Sequence, residues 1–179
     1  MPKVITARRQ DDETEKAQEF VRTYILFPSS LLGLIAIVVG VIALGFQLWS
    51  GTYGWETFTY SSGLIVAGVL LGLIQTKYQQ YLLREFPGYF ANRMKAYTQR
   101  SIRKAKKAVS DVSIEHRGRG LVPLWYLLGI VTFFTLSGFA VATGFLEPVA
   151  AIALPWAGYF WAKMFFWKGL MLPPGHKGK

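Results

Sequence analysis

The chain of 179 residues contains no cysteine and only two histidines. Without cysteine, a disulfide scaffold, a thiol enzyme and a thiolate-ligated metal site are excluded. Both histidines, His116 and His176, lie in polar stretches, so we expect no haem or histidine-ligated pigment within an apolar segment. No Ser-His-Asp set, carboxylate pair or phosphate-binding loop occurs with usable spacing. We therefore predict no catalytic residue, no metal site and no cofactor-binding residue.

Charge is also scarce. Charged residues make up 17% of the chain and hydrophobic residues 52%, whereas an ordinary soluble domain carries about 25% charged residues. This combination favours a membrane protein. Aromatic residues reach 16%, which excludes an intrinsically disordered chain because such chains are poor in aromatic side chains.

Four apolar stretches are long enough to cross a bilayer, which takes about 20 residues. They cover residues 24–49, 58–75, 121–144 and 148–167. Each is a continuous apolar run, whereas strands of a membrane barrel alternate apolar and polar residues. We predict an all-α integral membrane protein in which four transmembrane helices form two hairpins, with a basic amphipathic cytoplasmic helix between spans 2 and 3.

This topology divides the chain into five segments. The first holds ten charges before residue 23 and no apolar core, so we do not expect a signal peptide there. The predicted segments are a polar cytoplasmic N-terminal segment (1–23), a first transmembrane hairpin (24–76), a basic cytoplasmic connection (77–120), a second transmembrane hairpin (121–167) and a basic cytoplasmic tail (168–179).

The positive charges predict the orientation in the membrane. The formal net charge is +10, and residues 77–120 carry eleven basic and three acidic residues. The short loops after the first and third spans carry one glutamate each and no basic residue. Cytoplasmic loops collect Lys and Arg, so both termini and the connection are expected in the cytoplasm. We expect a bacterial inner membrane or a comparable energy-converting membrane.

The connection contains a predicted amphipathic helix over residues 89–112, whose apolar residues recur at steps of three and four. Its other face would contact anionic lipid headgroups or a partner subunit, with the apolar stripe docking on that partner. Nucleic acid is not expected, because the aromatic residues lie on the apolar face. The basic contact residues are Arg93, Lys95, Arg100, Arg103, Lys104, Lys106 and Lys107.

Small residues four apart within the spans predict close helix packing. The centres of the spans hold no ionisable residue, which argues against an ion pump. Lys163, near the end of the fourth span, is expected to extend its ammonium group to the interface. The predicted packing glycines are Gly33, Gly40, Gly68, Gly72, Gly138 and Gly158.

The fourth span is crowded with aromatic residues around Pro155, which should kink it. The rings are too many to pack inward, so some should face lipid or a partner, as aromatic residues do in interface cores. No cofactor is predicted, although a bound lipid, quinone or pigment is an alternative occupant of this surface. The predicted aromatic interface comprises Trp156, Phe160, Trp161 and Trp167.

These features predict a non-catalytic accessory, structural or assembly subunit of a larger membrane protein complex, for instance an energy-converting one. The expected partners are other membrane protein subunits and anionic lipids. One alternative is a small oligomeric transporter or channel for a neutral or apolar solute. Another is a membrane enzyme that acts on lipid headgroups, for which only Glu85, Asp111, Glu115 and His116 are available.

Overall fold

The computed structural model describes residues 13–98 and 119–167, and the side chains over 13–94 and 120–167. All regular structure in these ranges is helical, and no strand occurs there. Among the described residues, four of the five helices longer than one turn are long and apolar enough to cross a membrane. This confirms the prediction of a helical chain with four candidate spans, as in an integral membrane protein. The helices are α1 (Glu13–Trp49), α2 (Trp55–Glu85), α3 (Pro87–Thr98), α4 (Val122–Ala142) and α5 (Pro148–Phe166).

Helix α1 extends beyond the first predicted span. The span is predicted from residue 24, and the helix that contains it is continuous from Glu13. It contains a π-helical segment, Val21–Leu26, that ends with the Phe27 N–H donating to the Arg22 carbonyl. Pro28 follows directly, and proline has no N–H to donate and crowds the preceding turn. The wider π turn accommodates this proline without ending the helix.

The described residues divide into two compact units. Residues 28–76 and 120–167 form a helical bundle, which we call the bundle. The other unit contains residues 13–27 and 77–98, and we call it the α3 unit.

Helix α5 lies at the centre of the bundle. Half of its apolar window is buried, against less than 30% for each of the other three long helices. A core cluster surrounds its first half and draws residues from α1, α2 and α4. The cluster comprises Ala43, Leu64, Ala140, Leu146, Ala150, Ala151 and Leu154.

The second residue of each short loop of the bundle is a glycine in the left-handed region. Gly51 has a φ of 72° and Gly144 a φ of 75°, and this conformation is costly for any residue that carries a Cβ. The loops 50–54 and 143–147 define one end of the bundle, which we call the loop end.

Side chains from two helices hold the second of these loops. The carbonyl of Phe145 accepts hydrogen bonds from Thr57 Oγ1 at 2.8 Å and from Gln47 Nε2 at 3.2 Å. Because a loop carbonyl has no helical partner, these two partly buried bonds satisfy it. The bonds join α1 and α2 to the α4–α5 loop.

In the α3 unit, the start of the predicted amphipathic helix packs its apolar side against α1. Helix α2 ends at Glu85 and α3 starts at Pro87, a favoured residue for a first helical turn. Phe90 and Ala91 on α3 are buried, and the Phe90 ring lies 6.0 Å from the buried Phe20 ring of α1. The first turns of the stripe therefore pack within this chain and are not free to dock on a partner. The predicted helical residues beyond 98 lie outside the described residues.

Pro155 leaves a carbonyl of α5 without its helical donor, and a neighbouring helix supplies one. A proline at 155 cannot donate to the carbonyl of Ala151, four residues earlier. The buried Ser137 Oγ of α4 donates to this same carbonyl at 2.7 Å. Pro155 thus lies on α5, whereas Ser137, which replaces the missing hydrogen bond, lies on α4.

We predict that Ser137→Ala lowers the free energy of unfolding by about 1 kcal/mol, because the Ala151 carbonyl then lacks any donor. In a Pro155→Ala background the restored N–H reaches that carbonyl, and the same serine substitution should cost less than about 0.3 kcal/mol. Unfolding in mixed detergent micelles measures both values. If Ser137→Ala lowered the free energy of unfolding equally with Pro155 and with Pro155→Ala, Ser137 would not be replacing the hydrogen bond that Pro155 removes.

Candidate functional site

Glycines bring α2 and α5 into close contact. A Cβ built on Gly68 would collide with the carbonyl oxygen of Pro155, and one on Gly158 with the carbonyl oxygen of Ile65. At Gly72 an added Cβ would lie 2.5 Å from the carbonyl oxygen of Tyr159. The contacts advance in the same direction on both helices, so α2 and α5 run parallel. Only glycine permits this approach.

Helix α1 packs on α5 through two further glycines. An added Cβ at Gly33 would lie 2.9 Å from Phe160 Cβ, and one at Gly40 would lie 2.9 Å from Leu154 Cδ2. Residue numbers thus increase along α1 while they decrease along α5, so the two helices are antiparallel. By contrast, a Cβ at Gly138 would meet open space.

The aromatic residues of α5 divide between the interior and the surface. Trp156 and Phe160 are partly exposed and stack on each other, and the Phe133 ring of α4 meets Trp156 edge-on at 5.1 Å. Trp161 and Phe165 are 49% and 46% exposed and stack with ring centroids 5.3 Å apart. We call these two rings the aromatic pair.

Trp167 does not share this surface, although we expected it there. Its side chain is 2% exposed, and its indole Nε1 is buried without a hydrogen-bond partner. The residue follows the last turn of α5, where its backbone N–H donates to the Lys163 carbonyl. The helix end therefore directs the ring inward.

The second half of α5 also carries a buried basic group. Lys163 is 7% exposed, and its Nζ lies 4.7 Å from the centroid of the Tyr159 ring. The hydroxyl of Tyr159 donates to Gln75 Oε1 on α2, which fixes the ring that faces the ammonium group. We expected this lysine to reach the interface, but the structure packs it against an aromatic face.

Thr76 continues the contact face of α2 at this level. Gly68, Gly72 and Thr76 are spaced by four residues and share one side of the helix, so Thr76 lies one turn beyond the contact of Gly72 with Tyr159 and Ala162. Thr76 is 0% exposed, and its Oγ1 has no hydrogen-bond partner. We use the name polar cluster for Gln75, Thr76, Tyr159, Lys163 and Trp167.

Of the basic residues predicted to contact lipid or a partner, Arg93 has a described side chain. It is exposed, and its guanidinium carbon lies 4.6 Å from the Tyr89 ring centroid. Lys95 lies on the same helix, but its side chain is outside the described residues. The remaining members, Arg100, Arg103, Lys104, Lys106 and Lys107, also lie outside them.

An open apolar cleft of about 320 Å³ lies at the loop end between α1 and the start of α5. Its walls include Ile42, Phe46 and Val149, and Glu147 is its one charged residue. Within residues 13–98 and 119–167, no group of three or more histidines and carboxylates could hold a metal ion.

Sequence reasoning missed the polar cluster as a unit. One signal was available, because Tyr159 and Lys163 are spaced by four and share one face of α5. Trp167 follows four residues later, just beyond the helix. The partners on α2 could not be paired with them without the parallel register of the two helices.

No family model, curated protein or solved structure matches the chain.

We predict that Gly68→Leu destabilises the bundle by about 2 kcal/mol or more, because the new side chain would have to displace the α5 backbone. Gly63→Leu is the matched control on the same helix, since an added Cβ there meets nothing within 4 Å. Its effect should stay within about 0.5 kcal/mol. Unfolding in mixed micelles compares the two variants, and similar losses would contradict the close α2–α5 contact.

Proposed function

We propose that the protein is a non-catalytic accessory or assembly subunit of a larger membrane protein complex, for instance an energy-converting one. The observation that supports this proposal is the aromatic pair, whose two side chains are about half exposed on the otherwise most buried helix. Aromatic residues are enriched at the cores of protein interfaces, where they supply most of the binding energy. Trp161 and Phe165 would thus receive a helix of a partner subunit.

The basic face of α3 is proposed as a second contact. Because Phe90 and Ala91 are buried in the α3 unit, the apolar stripe there is already occupied. Arg93 remains exposed, and basic side chains near a membrane attract anionic lipids. In this proposal the spans bind the partner, while the basic face contacts lipid headgroups or the partner's acidic surface.

We predict that the combined change Trp161→Ala and Phe165→Ala releases the partner. Loss of central aromatic residues costs about 2 kcal/mol or more, or roughly a thirtyfold weaker complex. Native gels and mass spectrometry of the protein purified from its own membrane in mild detergent would detect the loss. Trp125→Ala is the control, because Trp125 is an exposed aromatic residue of α4. A wild-type protein without a stoichiometric companion would refute the proposal.

We further propose that the four spans form two hairpins, with both termini and the connection 77–120 in the cytoplasm of a bacterial inner membrane or a comparable one. The support is the charge distribution: the loops 50–54 and 143–147 contain no basic residue, whereas the connection holds eleven. Lys and Arg are retained on the cytoplasmic side during insertion. The α3 helix would then be cytoplasmic.

We predict that Thr52→Cys reacts with a membrane-impermeant thiol reagent added to intact cells, whereas Ser110→Cys reacts only after the membrane is opened. The natural chain has no cysteine, so its background labelling is zero. The reverse pattern would overturn the orientation.

A small oligomeric transporter or channel for a neutral or apolar solute is the second candidate. One observation favours it, namely that Lys163 is buried within a span, because ionisable groups inside membranes commonly mark transport pathways. Solute flux into liposomes that contain the purified protein separates the candidates. Flux that Lys163→Gln abolishes would favour transport, and flat traces would favour the accessory role.

A further inference from the structure

We infer that the polar cluster binds the phosphate group of an anionic membrane lipid. This site differs from the aromatic pair and from the basic face of α3. Lys163, Thr76 and Trp167 are all buried, and the Thr76 hydroxyl and the Trp167 indole N–H lack partners. The parallel register of α2 and α5 puts them at the same end of the bundle. Three donors without an acceptor match a phosphate, which offers several oxygen acceptors and a negative charge.

Lys163 has no counter-charge within the bundle. It is the only basic residue among residues 28–76 and 120–167, where Glu56 and Glu147 are the only acidic ones. Glu56 lies in the first turn of α2, and Glu147 directly precedes α5. Both are at the loop end, about 22 Å along α5 from Lys163 at 1.5 Å per residue. A buried ammonium group needs a nearer anion.

The position along the helix favours a lipid as the source of that anion. The 19 residues of α5 span about 28 Å, close to the hydrocarbon thickness of about 30 Å. Lys163 lies three residues before the end of α5. In the proposal, its side chain lies near the boundary where lipid phosphates begin. The headgroup would reach the site there while the acyl chains stay beside the bundle.

The rest of the cluster holds the lysine in place. Gln75 accepts the hydrogen bond of the Tyr159 hydroxyl, so the ring face that receives the Lys163 ammonium is fixed across α2 and α5. Thr76 and Trp167 would each donate one hydrogen bond to a phosphate oxygen. Each would thereby gain the partner that it lacks in the chain.

The test is native mass spectrometry of the delipidated protein titrated with phosphatidylglycerol or phosphatidylcholine. We expect tighter binding of phosphatidylglycerol, and we expect Lys163→Gln to weaken it by about tenfold with little effect on phosphatidylcholine. Lys77→Gln is the control, because it removes an exposed lysine and the same charge. Equal binding of phosphatidylglycerol by wild type and Lys163→Gln would overturn the proposal.

Two milder variants keep the test informative if Lys163→Gln does not fold. Thr76→Val and Trp167→Phe each remove one donor at similar volume, and each should weaken phosphatidylglycerol binding about threefold. Unchanged binding in both would contradict the site.

Competition by inorganic phosphate would support the phosphate chemistry and identify the aqueous phase as a source. Retention of a neutral quinone in place of the lipid would overturn the proposal.

Discussion

The close contact of α2 with α5 is the constraint on which the bundle depends. Apolar burial does not drive helices together in lipid, since the lipid is as apolar as the side chains, so association relies on fit. Gly68 and Gly158 supply that fit from opposite sides, each facing a carbonyl of the other helix. The parallel register that follows places Thr76 and Gln75 beside the second half of α5. The polar cluster is therefore a consequence of the glycine contact.

Polar side chains in the first half of the bundle serve the backbone. Ser137 donates to the carbonyl freed by Pro155, and Thr57 and Gln47 donate to the loop carbonyl of Phe145. Each of these bonds satisfies a main-chain group that would otherwise be unpaired where water is scarce. Thr76 and the Trp167 indole serve no such carbonyl, and this contrast marks the polar cluster as a binding site.

The aromatic pair and the polar cluster thus differ in chemistry. The aromatic pair is apolar and exposed, which suits a helix of another subunit, whereas the polar cluster is buried and rich in donors, which suits an anion. The α3 unit contributes the exposed Arg93, while Phe90 of its apolar stripe packs on Phe20 of α1. The proposed role, a subunit held by lipid and by neighbouring helices, draws on all three features.

Composition and pattern alone determined the four spans, because runs of about 20 apolar residues without charge have few other solutions. The small-residue spacing also indicated where helices could approach closely, and the crowding of rings on α5 indicated that some must remain outside. Only the tertiary structure decided which helix is central and which rings are covered. It also decided that Lys163 packs on Tyr159 and that Phe90 packs on Phe20. Such outcomes depend on register and on the rotation of each helix about its axis, and a periodic apolar sequence leaves both undetermined.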